Sequence, residues 1–167
     1  MKILRHIFPV LFIAALYSIH LTTKFGYDDY VIPLLGISFL LMLINTISAI
    51  TWKGDHAGKA LALWGMLLKL ALIPVYLYLV LAGGLVTIGG LLFLPVIFSA
   101  IFMIILFFIF GVLLLVTTTS YSIKAAYTLG KNGVLSKSAA VIMSAMSCFF
   151  VVDVIAAIII FAKSSRA

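Results

Sequence analysis

The chain has 167 residues, of which 66% are hydrophobic and 9% charged, and its net charge is +7. Soluble domains carry about 25% charged residues, so this composition cannot cover a water-facing surface and excludes a soluble globular protein. It also excludes a nucleic-acid-binding module, because the basic residues lie between apolar runs and no basic stripe with interleaved aromatics is present.

Continuous apolar runs of about 20 residues point to transmembrane helices, whereas a transmembrane barrel needs alternating segments of about ten. The expected class is an all-α, polytopic helical membrane protein: one bundle of about five spans forming a single domain over residues 1–167. The first span, residues 3–21, resembles a signal peptide, with Lys2 and Arg5 ahead of its apolar core. Tyr17-Ser18-Ile19-His20 offers no small-residue cleavage site, so the segment reads as a retained helix, with His6 near one end and His20 near the other.

The loop Lys24 to Tyr30 carries Asp28 and Asp29 and leads to the second span, residues 31–50. Ser38, Asn45, Ser48 and Trp52 fall in one narrow helical sector there. Asn45 is the costly member, because an amide in hydrocarbon needs partners: a neighbouring helix, or a polar cavity shared with Lys69.

The third span, residues 60–81, contains Lys69, with Ala62, Gly65, Lys69, Ile73 and Tyr76 along one stripe. The small residues lie toward the helix N-terminus, where the lysine side chain leans. Pro74 removes a backbone donor and frees the carbonyl of Leu70, which predicts a kink. Gly83-Gly84 and Gly89-Gly90 bracket Leu-Val-Thr-Ile, which predicts a tight Gly-rich hairpin to the fourth span or a re-entrant segment.

The fourth span, residues 91–116, has Phe102, Phe107, Phe108 and Phe110 for lipid or oligomer contact, and Thr117-Thr118-Thr119 as a polar end. A loop over 120–138 follows, with a turn signal at Gly130 to Gly133. The fifth span, residues 139–162, holds Asp153 and the small-residue series Ala140, Ser144, Cys148.

Lys2, Arg5, Lys53, Lys59, Lys124, Lys131 and Lys137 fall on one side of this arrangement, against Lys24, Lys163 and Arg166 on the other. The positive-inside rule then places the N-terminus in the cytoplasm, and the plasma membrane is the expected location.

A charge at bilayer depth costs about 2.5–3.5 kcal/mol on insertion scales, which makes Lys69 and Asp153 the residues to explain. Their spans run parallel. Counting 1.5 Å per residue from the span starts puts Lys69 about 13 Å deep and Asp153 about 21 Å deep. Either the two pair directly, or Lys69 satisfies another partner or snorkels to the interface. Lys69, Asp153, Asn45 and Tyr76 form the candidate intramembrane polar site.

Nothing here resembles catalytic machinery. There is no HExxH, no Gly-rich cradle ending in Lys-Ser or Lys-Thr, and only four acidic residues. His6, His20 and His56 stand on separate elements, so no metal or other cofactor is expected, and Cys148 has no intrachain partner. The expectation is a non-enzymatic multi-pass protein acting as an accessory, regulatory or protective component through helix contacts. Its partners would be membrane lipid and either further copies of itself or another membrane protein, not nucleic acid. The alternative is a small transporter or channel with Lys69 and Asp153 lining a polar path.

Overall fold

A computed structural model of the chain describes residues 2–54, 57–92, 97–149 and 152–165. Among these the regular structure is entirely helical: α1 (Lys2–Lys24), α2 (Val31–Thr51), α3 (Ala57–Leu92), α4 (Ile97–Lys131), α5 (Lys137–Met146) and α6 (Val152–Ser165). A 3-10 turn at Asp28–Tyr30 joins α1 to α2. The first four helices are long and apolar enough to cross a membrane, as the composition requires.

The antiparallel pair α3 and α4 is the spine of the bundle, and glycines on α3 set its closeness. A Cβ on Gly65 would lie 3.1 Å from the Ser122 hydroxyl, one on Gly58 3.0 Å from Leu129, and one on Gly90 only 2.4 Å from the Ala100 methyl. The helices α1 and α3 run parallel: His6 meets Trp64, the Tyr17 hydroxyl donates to the Ala71 carbonyl at 2.7 Å, and His20 meets Tyr78. The last α4 turn and the first α5 turn touch through Gly130 and Ala140. These contacts gather Arg5, Lys53, Lys59, Lys131 and Lys137 at one end of the bundle, as the span order implies.

The boundaries differ from expectation in three places. Gly83 to Gly90 are helical residues within α3, which continues to Leu92, and residues 93–96 lie outside the described residues. A helical glycine costs about 1 kcal/mol, less than leaving backbone groups unpaired in hydrocarbon, so in an apolar setting the helix continues. The surplus length falls in residues 81–92 and 97–108, all uncharged, with Leu85, Leu92 and Phe98 at least 72% exposed.

Thr117 to Thr119 do not end a helix, because α4 continues to Lys131. Their side chains are buried in the bundle, with the Thr117 and Thr118 hydroxyls donating to the Leu113 and Leu114 carbonyls. Tyr121, Ser122, Ala125, Ala126 and Leu129, placed in a loop by their polarity and flanks, are a buried stripe of helical period.

The third difference is a break. The expected fifth span is two short helices, α5 of 10 residues and α6 of 14, neither long enough to cross a membrane alone. Pro74, by contrast, leaves α3 one continuous helix. The Tyr17 hydroxyl donates to the Ala71 carbonyl, next to the Leu70 carbonyl that the proline leaves without its helical N–H. Tyr17→Phe should therefore lower stability by about 1 kcal/mol, read as a lower melting temperature in detergent.

Candidate functional site

Three helices meet at Lys69. Its side chain, 2% exposed, leans toward the space that Gly65 leaves on α3, and the same glycine lets α4 bring Ser122 alongside. The ammonium forms an ion pair with the Asp153 carboxylate, donates to the Ser122 hydroxyl at 2.6 Å, and reaches the Asp153 backbone carbonyl at 3.4 Å. An ammonium has three N–H donors, and three acceptors surround this one.

The carboxylate is placed by the helix break. Asp153 stands in the first turn of α6, where the helix dipole favours an anion. Its own N–H donates to the Phe149 carbonyl at 2.7 Å. The Thr119 hydroxyl on α4 donates to the Ser147 carbonyl at 2.8 Å, which satisfies a backbone group released where α5 stops. Ser147 itself is fully buried, with its side chain beside the carboxylate.

The pair therefore lies at one level in the bundle, and the depth offset expected from a straight fifth span is absent. Helical rise cannot be summed from Ala139 to Asp153, because α5 ends at Met146 and α6 begins at Val152. Among the described residues this is the one ion pair.

Asn45 belongs to a neighbouring layer. Its amide donates to the Phe8 carbonyl of α1 at 3.2 Å and to the Leu41 carbonyl at 2.8 Å, and its oxygen accepts from the Tyr121 hydroxyl at 2.8 Å. Ser38 and Ser48 are buried on the same face of α2, as their spacing predicts. Tyr121 and Ser122 are consecutive on α4, so one stretch of backbone supports both layers and ties together α1, α2, α3, α4 and α6. Sequence reasoning missed both residues by assigning them to a loop. The signal that could have found them is the helical period of buried positions from Tyr121 to Leu129.

Tyr76 lies beside the Thr118 side chain on α4. Its ring borders a groove of about 330 Å³ between α3 and α4, lined also by Leu79, Phe107, Phe108, Gly111 and Leu115. Ile73, on the same stripe as Lys69 by its spacing, is 46% exposed, whereas Leu72 is fully buried. Tyr121→Phe should cost about 1–3 kcal/mol by leaving the Asn45 oxygen buried without its donor, measured as thermal stability in detergent.

His6 and His20 lie at opposite ends of α1, and His56 falls outside the described residues. Among the described residues no three His, Cys, Asp or Glu side chains gather in a way that could hold a metal. Cys148 is exposed, in the break between α5 and α6.

The arrangement neutralises two charges inside an apolar bundle and crosslinks three helices through them. No curated protein and no solved structure matches the chain. The model of a family of unknown function, DUF6652, matches residues 5–166, nearly the whole chain, and the protein belongs to that family.

Proposed function

We propose that this is a non-enzymatic multi-pass protein of the plasma membrane, with its N-terminus in the cytoplasm, that works as an accessory or regulatory component through contacts of its helices. The observation that carries this reading is the closure of the Lys69 group. All three ammonium donors are taken up inside the protein, by Asp153 and Ser122, which leaves none to bind a passing solute. Buried pairs of this kind specify one arrangement of helices rather than adding much net stability.

The outer surface supports the same reading. The α3–α4 groove is apolar, faces outward and is bordered by Phe107 and Phe108, a shape suited to an apolar helix of a second copy or a partner. Gly111 lines it with open space around its Cβ position. Gly111→Phe should fill the groove, leave the melting temperature within a few degrees, and reduce the oligomer or complex seen by light scattering of purified protein. Unchanged assembly after that substitution contradicts a role for the groove.

One observation favours the second reading, a small transporter. A broken helix with a buried carboxylate at its restart is a common construction of substrate and ion sites in transporters. Proteoliposomes separate the two: ion or proton flux that is abolished by Lys69→Met with Asp153→Leu, in protein that still folds, would establish transport.

A further inference from the structure

The basic end of the bundle holds a second constructed group of side chains, unconnected with the ion pair. Arg5 and His6 begin α1, Trp52 closes α2, and Trp64 lies in the second turn of α3. The Arg5 guanidinium carbon is 5.8 Å from the centre of the Trp52 ring, and the His6 ring meets Trp52 edge-on at 5.2 Å. The Trp64 indole donates to Nδ1 of His6 at 2.7 Å.

An indole nitrogen only donates, so His6 accepts at Nδ1 and carries its ring proton on Nε2. Trp52 is buried, whereas His6 is exposed. Among the described residues Arg5 has no carboxylate partner. Lys53 and Lys59, both exposed, add charge at the same end. The apolar span of α1 starts at Arg5, so this group stands where the lipid headgroups meet the hydrocarbon.

We propose that Arg5 and His6, braced by Trp52 and Trp64, form a binding site for the phosphate headgroup of an anionic phospholipid. The guanidinium fork matches a phosphate in geometry and charge, stacking on the indole restricts its motion, and the His6 Nε2–H is a second donor beside it. The positive charge of the guanidinium at this level favours an anionic lipid over a zwitterionic one. The inference rests on α1 being a membrane span and not on the role of Lys69.

The chain has two tryptophans, both in this group, so tryptophan fluorescence reports on the site directly. The full-length protein is placed in phosphatidylcholine vesicles containing a small fraction of brominated phosphatidylglycerol, or the same fraction of brominated phosphatidylcholine. Quenching should show about fivefold tighter association of the anionic lipid, the effect of roughly one well-placed basic residue. Arg5→Gln with His6→Gln should bring the two lipids to parity, and Lys163→Gln at the far end should leave the preference intact. Equal quenching of the unaltered protein by both lipids overturns the proposal, a result that needs no variant to fold. So does a preference that survives Arg5→Gln with His6→Gln, or loss of the preference on adding millimolar inorganic phosphate, which would assign the site to free phosphate.

Discussion

Lys69→Met and Asp153→Leu, made singly, should each lower stability by about 3–5 kcal/mol, and the two together should recover most of that loss. Each single change leaves the other charge buried. Asp153→Leu leaves the ammonium with the Ser122 hydroxyl and a backbone carbonyl, and Lys69→Met leaves a carboxylate in a bundle whose described residues supply no other cation to it. The double variant replaces a desolvated pair by apolar side chains of similar length, an exchange that is often neutral or stabilising where the site is well packed. The measurement is the melting temperature of all four proteins in one detergent, completed as a double-mutant cycle. Additive losses would show that the charges do not depend on each other. Ser122→Ala in the same series should cost less, about 1–3 kcal/mol, because the ion pair itself persists.

The second large effect lies at the α3–α4 tip. Gly90→Ala would put a methyl 2.4 Å from the Ala100 methyl, closer than real carbon contacts allow, so the two helices must part. The expected loss is about 1–3 kcal/mol. Ala100→Gly in the same molecule should restore most of it, because it removes the atom that is struck. Gly84→Ala is the control: nothing lies within 4 Å of that Cβ position, so the change should be neutral or stabilise by up to about 1 kcal/mol through helix propensity. Equal destabilisation by the two alanines would mean that backbone freedom, not close approach, is what Gly90 supplies.

These two sites show what the sequence reveals and where it stops. Lys69 and Asp153 were legible because a charge within an apolar run is anomalous whatever the fold. That they pair was not, since their apparent depths depended on an unbroken fifth helix. The break includes no glycine or proline in its described residues, Ser147-Cys148-Phe149, and its sequence on to Val152 reads as a continuous apolar run. It is stabilised from outside the segment, by the Thr119 hydroxyl on the Ser147 carbonyl and by Lys69 on Asp153. Local pattern does not contain such terms.

The errors around α3 and α4 are of another kind. Glycine pairs and a polar stretch were given the meaning they have in water, where unpaired backbone is cheap and Ser, Thr and Tyr favour surfaces. In this bundle Gly90 serves contact with α4, and Tyr121 and Ser122 are interior hydrogen-bonding residues. The cost of an amide in hydrocarbon marks Asn45 as needing partners, but pattern alone does not choose between a neighbouring helix and a cavity shared with Lys69; the partners lie on α1 and α4.

The central claim is that the Lys69–Asp153–Ser122 group is a closed helix crosslink. It is tested most directly by asking whether water-borne reagents reach it. In a Cys148→Ser background, Ser122→Cys places a thiol of nearly the same size against the ammonium, at a position 1% exposed. With the protein in sealed vesicles, a charged, membrane-impermeant thiol reagent should leave this cysteine unmodified from either side while it fully labels Lys24→Cys and Lys53→Cys, which sit at exposed positions at opposite ends. Denaturation should then expose the thiol at residue 122. Prompt labelling in the folded protein from either side would reveal an aqueous path to the ion pair and contradict the account.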